Sequence, residues 1–279
     1  MAWLTSHPLP DDDERALQRW LGALAERLDD PAEDRAVVVR ELLAPLVHGR
    51  PYDDLAETAP WAAFALDARN VRLEAEHYVA TDPHRFAQVK PLLWAWSRVD
   101  ATPFGASLST GIPFRRMLAQ RVFARAGRNL KIFPNVEVSV GYNVEAGDDV
   151  VLHRHVFLDD IGGIELHDGV SLSDYVHVYS HTHDLDDPAE VTLKRTVLGR
   201  GVRVAYHGTV LAGTVLSDDA MLGALGVATR SIDPHVVALG IPARPRARKA
   251  RPLDDPAAVD LAVDARERTP VAAVRGSRD

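Results

Sequence analysis

The sequence predicts a mainly β chain, a parallel β-helix of six-residue repeats behind an N-terminal α-helical domain. Two observations lead to this prediction. Up to about residue 125 apolar residues lie three and four positions apart, as in amphipathic helices, whereas beyond that point aliphatic residues recur at a period of six. The thirteen phased aliphatic positions are Val140, Ala146, Leu152 and Leu158, then Leu166, Leu172 and Val178, then Leu198, Val204, Val210, Leu216, Leu222 and Ala228.

A period of six suits a prism with three flat faces. Each hexad then forms one short strand and one corner, so that the aliphatic residue always points towards the narrow axis. An α-helix of period 3.6 or an alternating strand of period 2 would lose this phase within a few repeats. The repeat, more than any single residue, therefore determines the predicted fold.

The N-terminal pattern predicts several helices. The first starts near Asp11, and a second follows Pro31 and is expected to kink or end at Pro45, because proline disrupts a helix interior. A last helix is predicted from about Pro113 to Ala126. The apolar stripe of the first helix comprises Leu17, Leu21, Leu24 and Leu28.

The same patterns divide the chain into three predicted parts: a helical domain over residues 1–125, the β-helix over residues 126–247 and a tail over residues 248–279. Within the helical domain, Glu74, Glu76 and His77 have the spacing of a helix face and are interpreted as no more than that. Trp94 and Trp96 are interpreted as core residues.

Composition excludes several classes of function. The net charge of −8 argues against a general nucleic-acid binder, and no apolar run approaches the ~20 residues that cross a bilayer. There is no cysteine, so disulfides and thiolate zinc sites are excluded. The N-terminus lacks the pattern of a secretory signal, so we expect a cytoplasmic protein.

Two interruptions of the repeat are expected to leave the prism as loops, where functional residues concentrate. The first is short, from Asp159 to Gly163. The second, from Tyr179 to Arg195, is long and polar and carries His181 and His183. Histidine titrates near neutral pH and is suited to removing a proton from a hydroxyl group.

The repeat, the motif SHTHDLDDP from Ser180 to Pro188 and the ending VALGIPARP from Val237 to Pro245 resemble the hexapeptide-repeat acyltransferases, close to the maltose and galactoside O-acetyltransferase branch. The resemblance covers roughly residues 130–247. It implies a left-handed parallel β-helix, a homotrimer, and transfer of an acyl group from acyl-CoA to a hydroxyl or amino group of a small acceptor.

The resemblance also implies residue roles. It places the general base on His183, with His181 as the alternative, and the acceptor side on His153, His155 and Asp160. His153 replaces the asparagine of that family, and Asp159 is almost as good a candidate as Asp160. The residues that would bind CoA are Ala205, Tyr206, Ala224, Thr229, Arg230 and Arg244, of which Tyr206 departs from the family pattern.

The basic residues after the repeat are a further candidate for binding CoA phosphates, since arginine suits phosphate geometry. A solvated tail is the alternative for most of them. The cluster comprises Arg244, Arg246, Arg248, Lys249 and Arg251.

Two other functions stay open at this point. The histidines between His153 and His183 are also reminiscent of the zinc-binding histidines of γ-class carbonic anhydrases, because imidazole clusters are good zinc ligands. The long helical domain would also suit a non-catalytic scaffold that binds partner proteins.

Overall fold

The computed structural model describes residues 9–187 and 190–249, and a helical region comes first. Its last helix ends at Val122, three residues before the first strand begins at Arg125. The helices are α1 Asp11–Asp29, α2 Arg35–His48, α3 Tyr52–Thr58, α4 Pro60–Leu66, α5 Pro83–Asp100, α6 Pro103–Ala106 and α7 Leu108–Val122, with a 3-10 helix at Glu74–His77. None of these helices is both long and apolar enough to span a membrane.

Two helix boundaries differ from the prediction. Helix α2 begins at Arg35, where the Asp34 side chain accepts a hydrogen bond from the Ala36 N–H, and it continues through Pro45 to His48. Helix α7 begins at Leu108 and contains Pro113. Both helices bury apolar faces in the core, and this burial outweighs the one backbone hydrogen bond that each proline removes. The stripe predicted for α1 is confirmed, since Leu17, Leu21, Leu24 and Leu28 are buried.

The second part of the chain winds around three parallel sheets. Sheet A contains β1 Arg125–Ala126, β4 Val144–Ala146, β7 Ile164–Leu166, β12 Thr196–Leu198 and β15 Val215–Leu216. Sheet B contains β2 Lys131–Ile132, β5 Val151–Leu152, β8 Ser171–Leu172, β13 Arg203–Val204, β16 Met221–Leu222, β18 Val236–Leu239 and the antiparallel β19 Arg244–Arg248. Sheet C contains β3 Glu137–Val138, β6 Phe157–Asp159, β9 His177–Tyr179, β14 Thr209–Val210 and β17 Val227–Ala228.

Strand register confirms the six-residue phase at all but one position. Successive coils stack Ala146 on Leu166, Leu152 on Leu172 and Leu158 on Val178, and the later coils continue the same columns. Val140 is the exception. The residue that pairs with Leu158 is Val138, and Val140 is buried in the corner between β3 and β4.

The corners of the prism explain why so many residues other than glycine have positive φ. We call the turns from sheet A to B, from B to C and from C to A the A–B, B–C and C–A corners. A residue in the left-handed region reverses the chain at most A–B and B–C corners, and it is often not glycine. These residues are Asn129, Asp149, Asp219 and His235 at the A–B corner, and Asn135, His155, Tyr175, His207 and Leu225 at the B–C corner.

All the irregularity in coil length lies at the C–A corner. The first two coils are each twenty residues long, since Ala126 pairs with Ala146 and Ala146 pairs with Leu166. The third coil inserts a whole hairpin before it returns to sheet A, so Leu166 pairs with Leu198. Both predicted interruptions are at this corner, and the residues between β3 and β4 form a third.

A buried ion pair joins the helical region to the first coil. The Arg115 guanidinium contacts the Asp100 carboxylate at 2.5 Å, and both side chains are almost fully buried. Arg115 Nε also donates to the Ile132 carbonyl oxygen at 2.7 Å, while Asp100 accepts from the Asn135 N–H at 2.7 Å. The pair therefore connects α5 and α7 to both ends of the turn after β2.

We expect Arg115→Met to lower the free energy of unfolding by about 3–5 kcal/mol, because it leaves the Asp100 charge buried without its partner. Urea denaturation followed by circular dichroism measures the change. Arg128→Met is the matched control, since the Arg128 pair with Asp148 is exposed to solvent and should contribute less than about 1 kcal/mol. Equal losses in the two variants would contradict the structural role of the buried pair.

Candidate active site

The long insertion at the C–A corner is a two-stranded hairpin that carries both candidate histidines. Strand β10, His181–His183, pairs antiparallel with β11, Val191–Leu193, so that His181 lies opposite Leu193 and His183 opposite Val191. Side chains alternate between the two faces of a strand. The two imidazoles and the two aliphatic side chains therefore lie on the same face of the hairpin.

The root of the hairpin is held by buried polar contacts. Ser180 Oγ accepts a hydrogen bond from the Gly162 N–H at 2.8 Å, and the Ser180 carbonyl accepts from the Lys194 N–H at 2.8 Å. A Cβ on Gly162 would lie 2.0 Å from the Ser180 carbonyl oxygen, so this close approach requires glycine. The DDIGG segment and the hairpin thus form one interlocked corner.

His181 is held by an acidic residue from the preceding coil. Its Nδ1 lies 2.5 Å from Asp159 Oδ2, and Asp159 is 1% exposed. The ring centroids of His181 and His183 are 5.2 Å apart, edge to face. His181 is partly buried by its surroundings, whereas His183 is exposed.

Asp160, which was predicted to bind the acceptor, is fully buried. Its two carboxylate oxygens accept hydrogen bonds from the Val140 N–H at 2.9 Å and the Asn143 N–H at 3.2 Å. Burial raises the pKa of Asp160 to about 6. In this structure the carboxylate satisfies backbone groups of the neighbouring coil, and Asp159 is the member of the acidic pair that contacts a candidate site histidine.

A cavity of about 520 Å³ lies against the histidine face of the hairpin. One wall comes from the loop that follows the 3-10 helix of the helical region. Five of its lining residues are apolar, and none of the described residues that line it is lysine or arginine. The lining residues are His77, Tyr78, Val79, Ala80, Ile161, His181, His183, Val191 and Leu193.

Tyr78 is the member of this wall that lies beside the histidines. Its ring centroid is 6.4 Å from that of His181, and its hydroxyl donates a hydrogen bond to the Glu74 carboxylate. That hydrogen bond raises the pKa of Tyr78 to about 12. Sequence reasoning missed Glu74, His77 and Tyr78 as site residues, because nothing in their spacing connects them with a hairpin a hundred residues later.

The predicted acceptor residues His153 and His155 are at the B–C corner, which sheet C separates from the hairpin corner. His153 stacks on Phe133 with ring centroids 4.6 Å apart, and burial lowers the pKa of His153. His155 stacks on Tyr175 at 4.6 Å, and Tyr175 stacks on His207 at 4.8 Å. A single chain therefore does not bring His153 and His155 into the cavity with His181 and His183.

The predicted CoA residues fall into three places near the C-terminal coils. Ala205, Tyr206 and Ala224 follow β13 and β16 at the B–C corner, where the Tyr206 carbonyl accepts from the Leu225 N–H at 2.9 Å. Thr229 and Arg230 follow β17 and are exposed. Arg244 opens β19, whose five residues are all exposed.

Strand β19 carries three exposed arginines, Arg244, Arg246 and Arg248. Its pairing with β18 shifts register between Val237 and Ala238, which leaves Arg246 outside the paired positions. Lys249 instead contacts the buried carboxylate of Asp219. Arg251, the last member of the basic cluster, and the tail from residue 250 onwards lie outside the described residues.

No group of three or more histidine and acidic side chains within residues 9–187 and 190–249 is arranged to hold a metal ion. The carbonic anhydrase alternative therefore has no metal centre within one chain of the described structure. A site shared between copies of the chain is a separate matter that metal analysis of the purified protein would test.

This chain is similar in sequence to acetyltransferases and similar in fold to hexapeptide-repeat acetyltransferases. No protein-family model matches the chain. The galactoside O-acetyltransferase of Escherichia coli K12 is 27% identical over 145 residues, which are 50% of this chain and 71% of that protein. The resemblance predicted from the repeat and the flanking motifs is confirmed.

Two solved structures share the fold. A maltose O-acetyltransferase from Clostridium difficile 630 matches with a TM-score of 0.55 and 22% identity, over 65% of this chain and 100% of that one. A hexapeptide-repeat acetyltransferase from Vibrio cholerae, solved with acetyl-coenzyme A, matches with a TM-score of 0.52 and 20% identity, over 66% of this chain and 96% of that one. The predicted left-handed parallel β-helix is the observed fold.

The pKa of Asp160 predicts a pH dependence of stability. Between its ordinary value of 3.8 and its raised value of about 6, the folded chain keeps the proton that the unfolded chain releases. The contribution of Asp160 to the free energy of unfolding is therefore complete below pH 3.8 and is lost as the pH rises through about 6.

Relative to Asp160→Asn, which does not titrate, the wild type should lose on the order of 2–3 kcal/mol of unfolding free energy between pH 4 and pH 7. Urea denaturation of both proteins at the two pH values measures the difference. If the difference in unfolding free energy between the wild type and Asp160→Asn is the same at pH 4 and pH 7, the assigned pKa is contradicted.

Proposed function

We propose that this chain is an acyl-CoA-dependent acyltransferase that transfers an acetyl or related acyl group to a hydroxyl or amino group of a small acceptor. The observation that carries the proposal is the pair of imidazoles at the lip of the 520 Å³ cavity, on the fold of the acetyltransferases. The relative solved with acetyl-coenzyme A supports the choice of acyl donor. Use of acyl-CoA also favours the cytoplasm as its location.

In the proposed reaction a histidine of β10 takes the proton of the acceptor hydroxyl as the oxygen attacks the thioester carbonyl. The C–S bond of the tetrahedral intermediate then breaks, and the imidazolium returns the proton to the departing thiolate. No covalent intermediate on the protein is required. The resemblance favours His183 as this base, and the contact with Asp159 favours His181, because an oriented imidazole is the usual arrangement of a general base.

We further infer that the complete site forms between copies of the chain, as a homotrimer would allow. The cavity is at the C–A corner of the third coil, whereas the candidate CoA residues and His153 are at the B–C corner and the last coils. A neighbouring copy could supply the missing wall. The exposed apolar residues of the hairpin, Leu185, Val191 and Leu193, support a contact of this kind.

We expect His183→Ala to lower the turnover of acetyl-CoA by at least about 100-fold, since general-base catalysis contributes about 10²–10⁴-fold. Release of the free thiol is followed with a panel of monosaccharides, disaccharides and amino sugars as acceptors. His48→Ala is the matched control, because His48 is an exposed histidine at the end of helix α2 and does not line the cavity. Wild-type turnover in His183→Ala would assign the base to another residue.

Arg244→Gln should raise the KM for acetyl-CoA by about 10-fold through loss of a charge-assisted phosphate contact. The KM for S-acetylpantetheine, which lacks the nucleotide phosphates, should not change. Steady-state kinetics with both thioesters measure the two values. Arg128→Gln, on the first coil, is the control and should change neither KM value. An equal rise in KM for both thioesters in Arg244→Gln would contradict a phosphate contact.

A further inference from the structure

Asp159 is the most enclosed acidic group that reaches the candidate site. Its carboxylate is 1% exposed, yet one oxygen lies 2.5 Å from the ring of His181, which lines the cavity. Two further donors come from the corner around it. The Ser139 hydroxyl donates to Oδ1 at 3.2 Å, and the Ser180 N–H donates to Oδ2 at 3.4 Å.

These contacts determine which nitrogen of His181 carries a proton. Oδ2 already accepts from the Ser180 N–H, a group that can only donate, so it is placed to accept from His181 as well. The Nδ1 atom of His181 then carries the hydrogen. Because the other nitrogen of an imidazole lies on the far side of the ring, Nε2 is the atom that His181 presents to the cavity, with its lone pair available.

We propose that Asp159 is a positioning residue that locks His181 in the Nδ1–H tautomer, and that His181 Nε2 accepts a hydrogen bond from the acceptor while His183 takes the reacting proton. This inference rests on the proposed function. It assigns different tasks to two histidines of one strand. It also gives Asp159 a role through His181 rather than by direct contact with the acceptor.

The geometry of the cavity supports this division of tasks. His181 cannot turn without losing the Asp159 contact, and Tyr78 packs beside it at 6.4 Å between ring centroids. His183 is exposed and lies farther along the hairpin, with its ring 5.2 Å from that of His181. Two imidazoles at this spacing can receive two hydrogen-bond donors of the same acceptor molecule, such as neighbouring hydroxyl or amino groups.

The first test is independent of any acceptor. Nitrogen-15 NMR of the full chain labelled at histidine reports which ring nitrogen carries hydrogen, and His181→Asn identifies the His181 signals by their loss. We expect wild-type His181 to be protonated at Nδ1 and not at Nε2. In Asp159→Ala we expect a mixture of tautomers, as in an exposed histidine. A wild-type Nε2–H tautomer, or an unchanged spectrum in Asp159→Ala, would overturn the proposal.

The second test separates a functional role of Nε2 from a structural one. The amide nitrogen of asparagine replaces histidine Nδ1 closely, so His181→Asn keeps a donor to Asp159 and removes only Nε2, while His181→Phe removes both. With acetyl-CoA and a panel sugar, we expect both variants to raise the acceptor KM at least 10-fold, with a smaller effect on kcat. Wild-type KM in His181→Asn would show that His181 is only structural.

The outcomes also distinguish the two proposals. If the wild type consumes no acetyl-CoA with any panel acceptor, the proposed function fails, and the NMR result still decides whether Asp159 sets the tautomer. If His181→Asn abolishes kcat and His183→Ala does not, acyl transfer stands but the division of tasks is overturned, and His181 is the base. Thermal denaturation of each variant shows whether it has folded.

Discussion

The narrow axis of the three-sided prism is the constraint on which the rest of the structure depends. Each coil must return one aliphatic side chain to the axis on every face, so extra residues cannot be accommodated within a strand. They are found at the C–A corner, as short interruptions after β3 and β6 and as a hairpin after β9. Both candidate catalytic histidines therefore project from the one corner at which this repeat varies in length.

Two buried carboxylates connect the parts of this corner to one another. Asp160 satisfies backbone N–H groups of the coil below it, and Asp159 reaches from the same strand end to the histidine above it. The two adjacent aspartates therefore differ in role. Asp160 holds backbone groups of the fold, while Asp159 contacts the His181 side chain at the cavity.

The helical region contributes to the site as well as to the core. The buried Arg115–Asp100 pair fixes α5 and α7 on the first coil, and the segment after the 3-10 helix lies along the cavity wall with Tyr78 beside His181. The cavity beside the candidate histidines is therefore formed by both the helical region and the β-helix. The described residues that line this cavity include five apolar side chains and neither lysine nor arginine.

The sequence by itself determined the β-helix, its phase and the position of the long loop, because a period of six repeated over many coils leaves a signal in the order of residues alone. It also identified His181 and His183 as candidate site residues, since both lie in the long polar interruption of the repeat. Only the tertiary structure decided that Asp159 rather than Asp160 reaches a histidine, that Val138 replaces Val140 in the stack, and that Tyr78 joins the site. Those contacts depend on how coils and helices are superposed in space, and residues that meet across a corner or between domains share no spacing in the sequence.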